Sequence, residues 1–142
     1  MADKITVGNV EITAVMDMVP PPRPTERMFP EVSREAWVPY EDILENGQIQ
    51  LYYGVWVVRS QGQTILVDTG MGPGPHEHLD NRTGNLYEEL RPILIPADRL
   101  NNTNVGPSDE VTIVVHTHLH GDHVGWNIRY SGGMPAPNFR RA

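Results

Sequence analysis

β-Branched apolar residues recur through positions 4–18, at Ile5, Val7, Val10, Ile12 and Val15, and Gly8-Asn9 interrupts them. Two such runs around a two-residue turn predict an opening β-hairpin. Pro20, Pro21, Pro22 and Pro24 come next. Proline fixes φ and lacks an N–H, so an exposed loop is expected up to Pro30. Residues 33–45 read as short helical pieces, interrupted at Pro39 and stopped by Asn46-Gly47. Residues 49–59 read as a strand, 60–63 as a tight turn and 64–67 as the returning strand.

A Gly/Pro-rich loop then runs to Arg82. Thr83 is placed to cap a helix whose Leu86, Leu90 and Ile93 share one face, with Pro92 marking its end. Residues 111–115, VTIVV, are almost continuously apolar and predict a strand covered on both faces. From Ile128 to the end no core face is visible. Strands, a helix, a buried strand and a polar loop in that order predict an α/β (α+β) layered fold. The length of 142 residues suits one domain spanning 1–142.

Composition narrows the chemistry. The net charge of −7 argues against a nucleic-acid partner, because phosphate binding needs clustered Lys and Arg. No run reaches the length of a membrane span, and no apolar leader is visible at the start, so a cytoplasmic protein without membrane contact is expected. Cysteine is absent, so any metal must be held by His, Asp or Glu. That donor set suits zinc, manganese or iron.

Four of the six histidines lie within residues 116–123. His118 and His120 stand two apart, and on an extended backbone such residues project to one side. Gly121 allows a sharp turn, after which Asp122 and His123 can face the same cavity. Three imidazoles and a carboxylate form a candidate zinc-type site at the end of a strand. His116 is read as a structural position. His76, Glu77 and His78 are read as a solvated loop. Trp126 is read either as a core anchor or as a pocket wall. Residues 70–75, GMGPGP, do not make a phosphate loop, since Pro73 and Pro75 remove N–H donors.

The segment THLHGDHVGW, Thr117 to Trp126, resembles the signature of the metallo-β-lactamase superfamily, and ILVDTG at 65–70 resembles the segment found upstream in its members. The Val124-Gly125-Trp126 ending is similar to that of the lactonase and organophosphate-hydrolase-like branch. The resemblance implies an αββα sandwich of which this chain is the N-terminal half. It implies His118 and His120 as ligands of one metal, Asp122 and His123 as ligands of a second, and two zinc ions, with manganese or iron as alternatives. Asp68 would orient a ligand imidazole through its free N–H, and Asp122 would also guide protons to the leaving group. The implied activity is hydrolysis of a small ester, lactone or related substrate by a metal-activated hydroxide. Family members take further ligands from their second half, and after His123 this chain has no His, Asp or Glu. The alternative expectation is a catalytically incompetent half-domain that binds metal weakly or associates with partners, including a second copy of itself.

Overall fold

In the computed structural model, which describes residues 3–142, the alternating N-terminal residues form the expected hairpin. Strands β1 (Lys4–Val7) and β2 (Val10–Met18) pair antiparallel around Gly8, whose φ of 61° only glycine adopts freely. Residues 1–2, the start of the stretch expected to lack an apolar leader, lie outside the described residues. The Pro-rich stretch has little regular structure apart from a two-residue strand pair, Arg23–Pro24 with Gln48–Ile49, and one helical turn at Thr25–Met28. Residues Arg34–Ile43 form one 3₁₀ helix that runs through Pro39 and buries no residue. A 3₁₀ helix tolerates Pro39 where the α-helical pieces expected there would have broken.

Strands β3 (Tyr53–Ser60) and β4 (Gln63–Val67) form a second hairpin, and β5 (Ile113–Val115) adds parallel to β4. The five-stranded sheet has the order β1-β2-β3-β4-β5. One row across it, Thr13–Val57–Leu66–Val114, faces the core. Helix α1 (Leu86–Leu94) covers that face with Leu86, Leu90 and Leu94 buried and Ile93 beside them. Each such side chain contributes on the order of 2 kcal/mol. Pro92 lies inside the helix, which continues to Leu94, because burial of Leu94 outweighs the one hydrogen bond that proline removes.

The opposite face of the sheet carries two further rows. Ile5, Ile12, Val58, Ile65 and Ile113 are mutual partners across all five strands, and Ala14, Trp56, Val67 and Val115 across four. No element covers them among the described residues; Ile113 and Val115 are therefore exposed, contrary to the two-sided burial expected for 111–115. Strand β5 is an edge strand here, with β4 on one side only.

The C-terminal tail also differs from expectation. It forms a hairpin, β6 (Ile128–Ser131) and β7 (Met134–Pro137), and then buries Phe139 in the core. Tyr87, Trp126 and Phe139 stack at centroid distances of 5.2 and 6.2 Å. Trp126 is thus a core anchor. Among the described residues no helix is long and apolar enough to cross a membrane.

Candidate metal centre

Two loops meet at the C-terminal ends of β4 and β5. The first begins with Asp68, whose φ of 63° is left-handed, a conformation that costs a non-glycine residue about 1 kcal/mol. It is held there by bonds from the Asp68 N–H to the Val115 carbonyl and from the Thr69 N–H to the His123 carbonyl, both 2.8 Å. The second loop holds the histidines and ends in a helical turn, α2 (Gly121–Val124), with His120 at its N-cap.

The turned-in Asp68 carboxylate accepts three hydrogen bonds. The Thr117 N–H and the Thr117 hydroxyl donate to its two oxygens at 2.8 Å each, and His123 Nδ1 lies 2.8 Å from Oδ2. Burial pushes this carboxyl's pKa up, but the bonds from His123 and Thr117 and the nearby His123 charge together outweigh it and hold the pKa below the usual value. Facing this carboxylate, Nδ1 of His123 donates to it, which leaves Nε2 as the ring nitrogen able to bind a cation. Thr117 extends the same logic. Its proton goes to Asp68, so its oxygen accepts from His118 Nδ1 at 3.1 Å, and His118 Nε2 is also left free.

The rings themselves gather. His118 lies 4.6 Å from His120 and 3.8 Å from His123 between centroids, and Asp122 Oδ2 lies 3.4 Å from His123 Nε2. His118 and His120 are exposed; Asp122 and His123 are half-buried. The donor types and the anchored Nδ1 atoms fit zinc and its neighbours, with His118, His120, Asp122 and His123 as the residues to hold them. Among the described residues, however, no three donors converge on one cation position. A concavity of about 380 Å³ lies elsewhere, between Met16, Tyr52, Trp56 and Glu89, and no histidine lines it.

His116 stands apart from the ring cluster. Its Nε2 is 3.0 Å from the Asn127 amide, and its Nδ1 is buried without a hydrogen bond, 3.9 Å from Asp68. His76 braces its own loop, with Nε2 3.2 Å from the Gly72 carbonyl.

Sequence reasoning missed Thr117 and Asp17. Thr117 had a signal, its place between His116 and His118, but hydroxyls are too common beside histidines to single one out. Asp17 had none. Its carboxylate is buried and accepts the N–H groups of Met71 and Leu86 and the indole N–H of Trp126. It caps α1 from a distant strand, which is the task expected of Thr83. It also ties the loop after β4 to the segment after α2. The two backbones touch at Gly72 and Gly125, where a Cβ on Gly125 would collide with the Met71 carbonyl.

Asp68 and the histidine segment both lie within the stretch that a family model matches. The metallo-beta-lactamase superfamily model matches residues 54–133, and the chain belongs to that superfamily. Three solved structures share the fold. One is AidC, a dizinc quorum-quenching lactonase in complex with a product, at 20% identity and TM-score 0.71, covering 99% of this chain and 42% of that one. Another is a probable metal-dependent hydrolase from Staphylococcus aureus, at 18% identity and TM-score 0.67, covering 96% and 46%. The third is the hydrolase AbOPH of the beta lactamase superfamily, at 22% identity and TM-score 0.66, covering 99% and 42%. The chain thus spans less than half the length of each of these structures. No curated protein sequence matches it significantly.

Proposed function

We propose that residues 1–142 form the N-terminal half of a metal-dependent hydrolase domain acting on a small ester, lactone or related electrophile. The supporting observation is the carboxylate-anchored histidine cluster: Asp68 holds His123 by Nδ1, and Thr117 holds His118, so that both present Nε2 beside His120 and Asp122. His118 and His120 would hold one divalent cation, and Asp122 and His123 a second, zinc by donor chemistry. Such cations lower the pKa of water and polarise a carbonyl or phosphoryl oxygen. The chain's own residues orient the donors, and Asp122, half-buried beside His123, is placed to pass a proton to a leaving group. Two protein donors per cation fall short of the three usual in catalytic zinc sites, so the remaining donors come from outside residues 1–142.

Hydrolysis of a lactone and a nitrophenyl ester by the metal-loaded full-length protein tests this reading. His120→Ala and Asp122→Ala are each expected to lower turnover about 100-fold or more. Unchanged turnover in either variant refutes it.

The lack of three convergent donors among the described residues supports a second reading, a half-domain that binds metal weakly and has no turnover of its own. Calorimetric zinc titration of the 142-residue chain separates the two. Tight uptake of two ions with ester hydrolysis rejects the second reading.

A further inference from the structure

We propose that His116 is a positioning residue for the candidate centre: its buried Nδ1–H supplies a fourth hydrogen bond to the Asp68 carboxylate and so fixes the direction in which Asp68 holds His123. The inference deepens the reading of the centre given above, and it stands on two side chains, His116 and Asn127, that this reading leaves unused.

A carboxylate offers about four acceptor sites. Three of those on Asp68 are filled, one on Oδ1 by the Thr117 N–H and two on Oδ2 by the Thr117 hydroxyl and His123 Nδ1. The open site is therefore on Oδ1. His116 Nδ1 lies 3.9 Å from that same oxygen, and it is the one buried side-chain polar atom without a partner among the described residues. No bond is made at 3.9 Å, but an approach of about 1 Å makes one. Buried polar groups seldom stay unpaired, because each has given up its bond to water, so the orphan nitrogen favours that approach. This chain alone buries Nδ1, so no cover from elsewhere in a larger domain can partner it.

The tautomer follows from the other end of the ring. The Thr69 hydroxyl, shared with the His123 carbonyl, donates to Asn127 Oδ1 at 3.0 Å. That turns the Asn127 amide nitrogen toward His116 Nε2, 3.0 Å away, which accepts from it. The proton of the neutral ring is then on Nδ1, the nitrogen nearest Asp68. The opposite tautomer would set a bare lone pair against the carboxylate. Asn127 is itself fixed, its carbonyl accepting the Asn138 N–H at 2.8 Å. Thr69, Asn127, His116 and Asp68 thereby link the loop after β4, the segment after α2 and the end of β5. Thr117 grips Asp68 from a single residue; His116 adds an independent anchor on Oδ1.

Ring-nitrogen NMR of the metal-free 142-residue chain, at mildly alkaline pH where imidazole is neutral, is the first test. His116 is expected as the Nδ1–H tautomer, the less favoured form of free histidine. Two substitutions make the second test. Asparagine places its amide nitrogen near the Nδ1 position, and glutamine places its own near Nε2. His116→Gln is expected to weaken zinc binding about 3- to 10-fold, less than loss of a direct partner of a ligand imidazole, while His116→Asn stays within about 2-fold of the parent. Competition with a chromophoric chelator reads the affinities, and circular dichroism confirms that each variant keeps its fold. A role in packing alone would make the two variants alike. An Nε2–H tautomer in the parent overturns the proposal, and so do equal affinities in the two variants. The first test needs no metal, so the proposal can fail there without touching the hydrolase reading. A parent chain that takes up no zinc counts against that reading and leaves the tautomer as the deciding result.

Discussion

The indole N–H of Trp126 donates to the Asp17 carboxylate at 3.0 Å, joining segments 109 residues apart. The same carboxylate accepts the Leu86 N–H at 2.9 Å and the Met71 N–H at 2.6 Å. One side chain on β2 therefore aligns the start of α1, the loop that carries Asp68 and the segment that follows the histidines. The geometry of the candidate centre rests on this buried anion.

Asp17→Ala is expected to destabilise the fold by about 3 kcal/mol or more, because it strands three donors around a buried space. Asp17→Asn should cost less but still measurably, since an amide oxygen replaces only part of the acceptor capacity. Urea unfolding followed by Trp fluorescence reads both.

Asp68 couples stability to acid. Its folded pKa is depressed, so its contribution is complete above the unfolded carboxyl pKa of about 3.9 and is lost as pH falls through the lower folded value. Asp68→Asn should flatten the fall in stability below about pH 4, relative to the parent, in unfolding curves taken from pH 7 down to pH 2. An acid limb of unchanged slope contradicts the assigned hydrogen bonds.

If Nε2 of His123 is a ligand, Asp68→Asn should weaken zinc binding by about 10- to 100-fold, since anchored imidazoles bind better than free ones. His118→Ala should weaken it further. Competition with a chromophoric chelator measures both. Equal affinity in all three proteins would falsify the ligand assignment.

Gly125→Ala is expected to cost about 2 kcal/mol or more, because the new methyl meets the Met71 backbone and one of the two loops has to move. Thermal melts report the loss. Changed chemical shifts of the His123 ring would show that the displacement reaches the centre.

Phe139→Ala should destabilise by about 3–5 kcal/mol if the tail is part of the core. A loss below about 1 kcal/mol would mean that the tail only rests on the surface.

The strands, the main helix and the histidine motif were legible in the residues because they depend on local rules. Alternation around Gly8-Asn9 specified the first hairpin, and the spacing of Leu86 and Leu90 specified the helix face. His118, His120, Asp122 and His123 announced themselves by type and spacing alone. The misreadings fell where tertiary context decides. Pro92 marks a helix end by local rules, yet core burial carries the helix two residues further. Phe139 sat in a tail with no period, yet packs against Tyr87. VTIVV has the composition of a doubly covered strand, but composition does not say which neighbour does the covering.

What the chain determined by itself was the candidate histidine motif and the sheet that presents it, since side-chain chemistry and side-chain period are local properties of residues. Tertiary structure alone decided that Asp68 reaches His123 across 55 residues, that Asp17 gathers the loops around one carboxylate, and that α1 packs on one face of the sheet. Those outcomes depend on which distant backbones approach one another, and hydrogen bonds as short as these form only once packing has brought their atoms together.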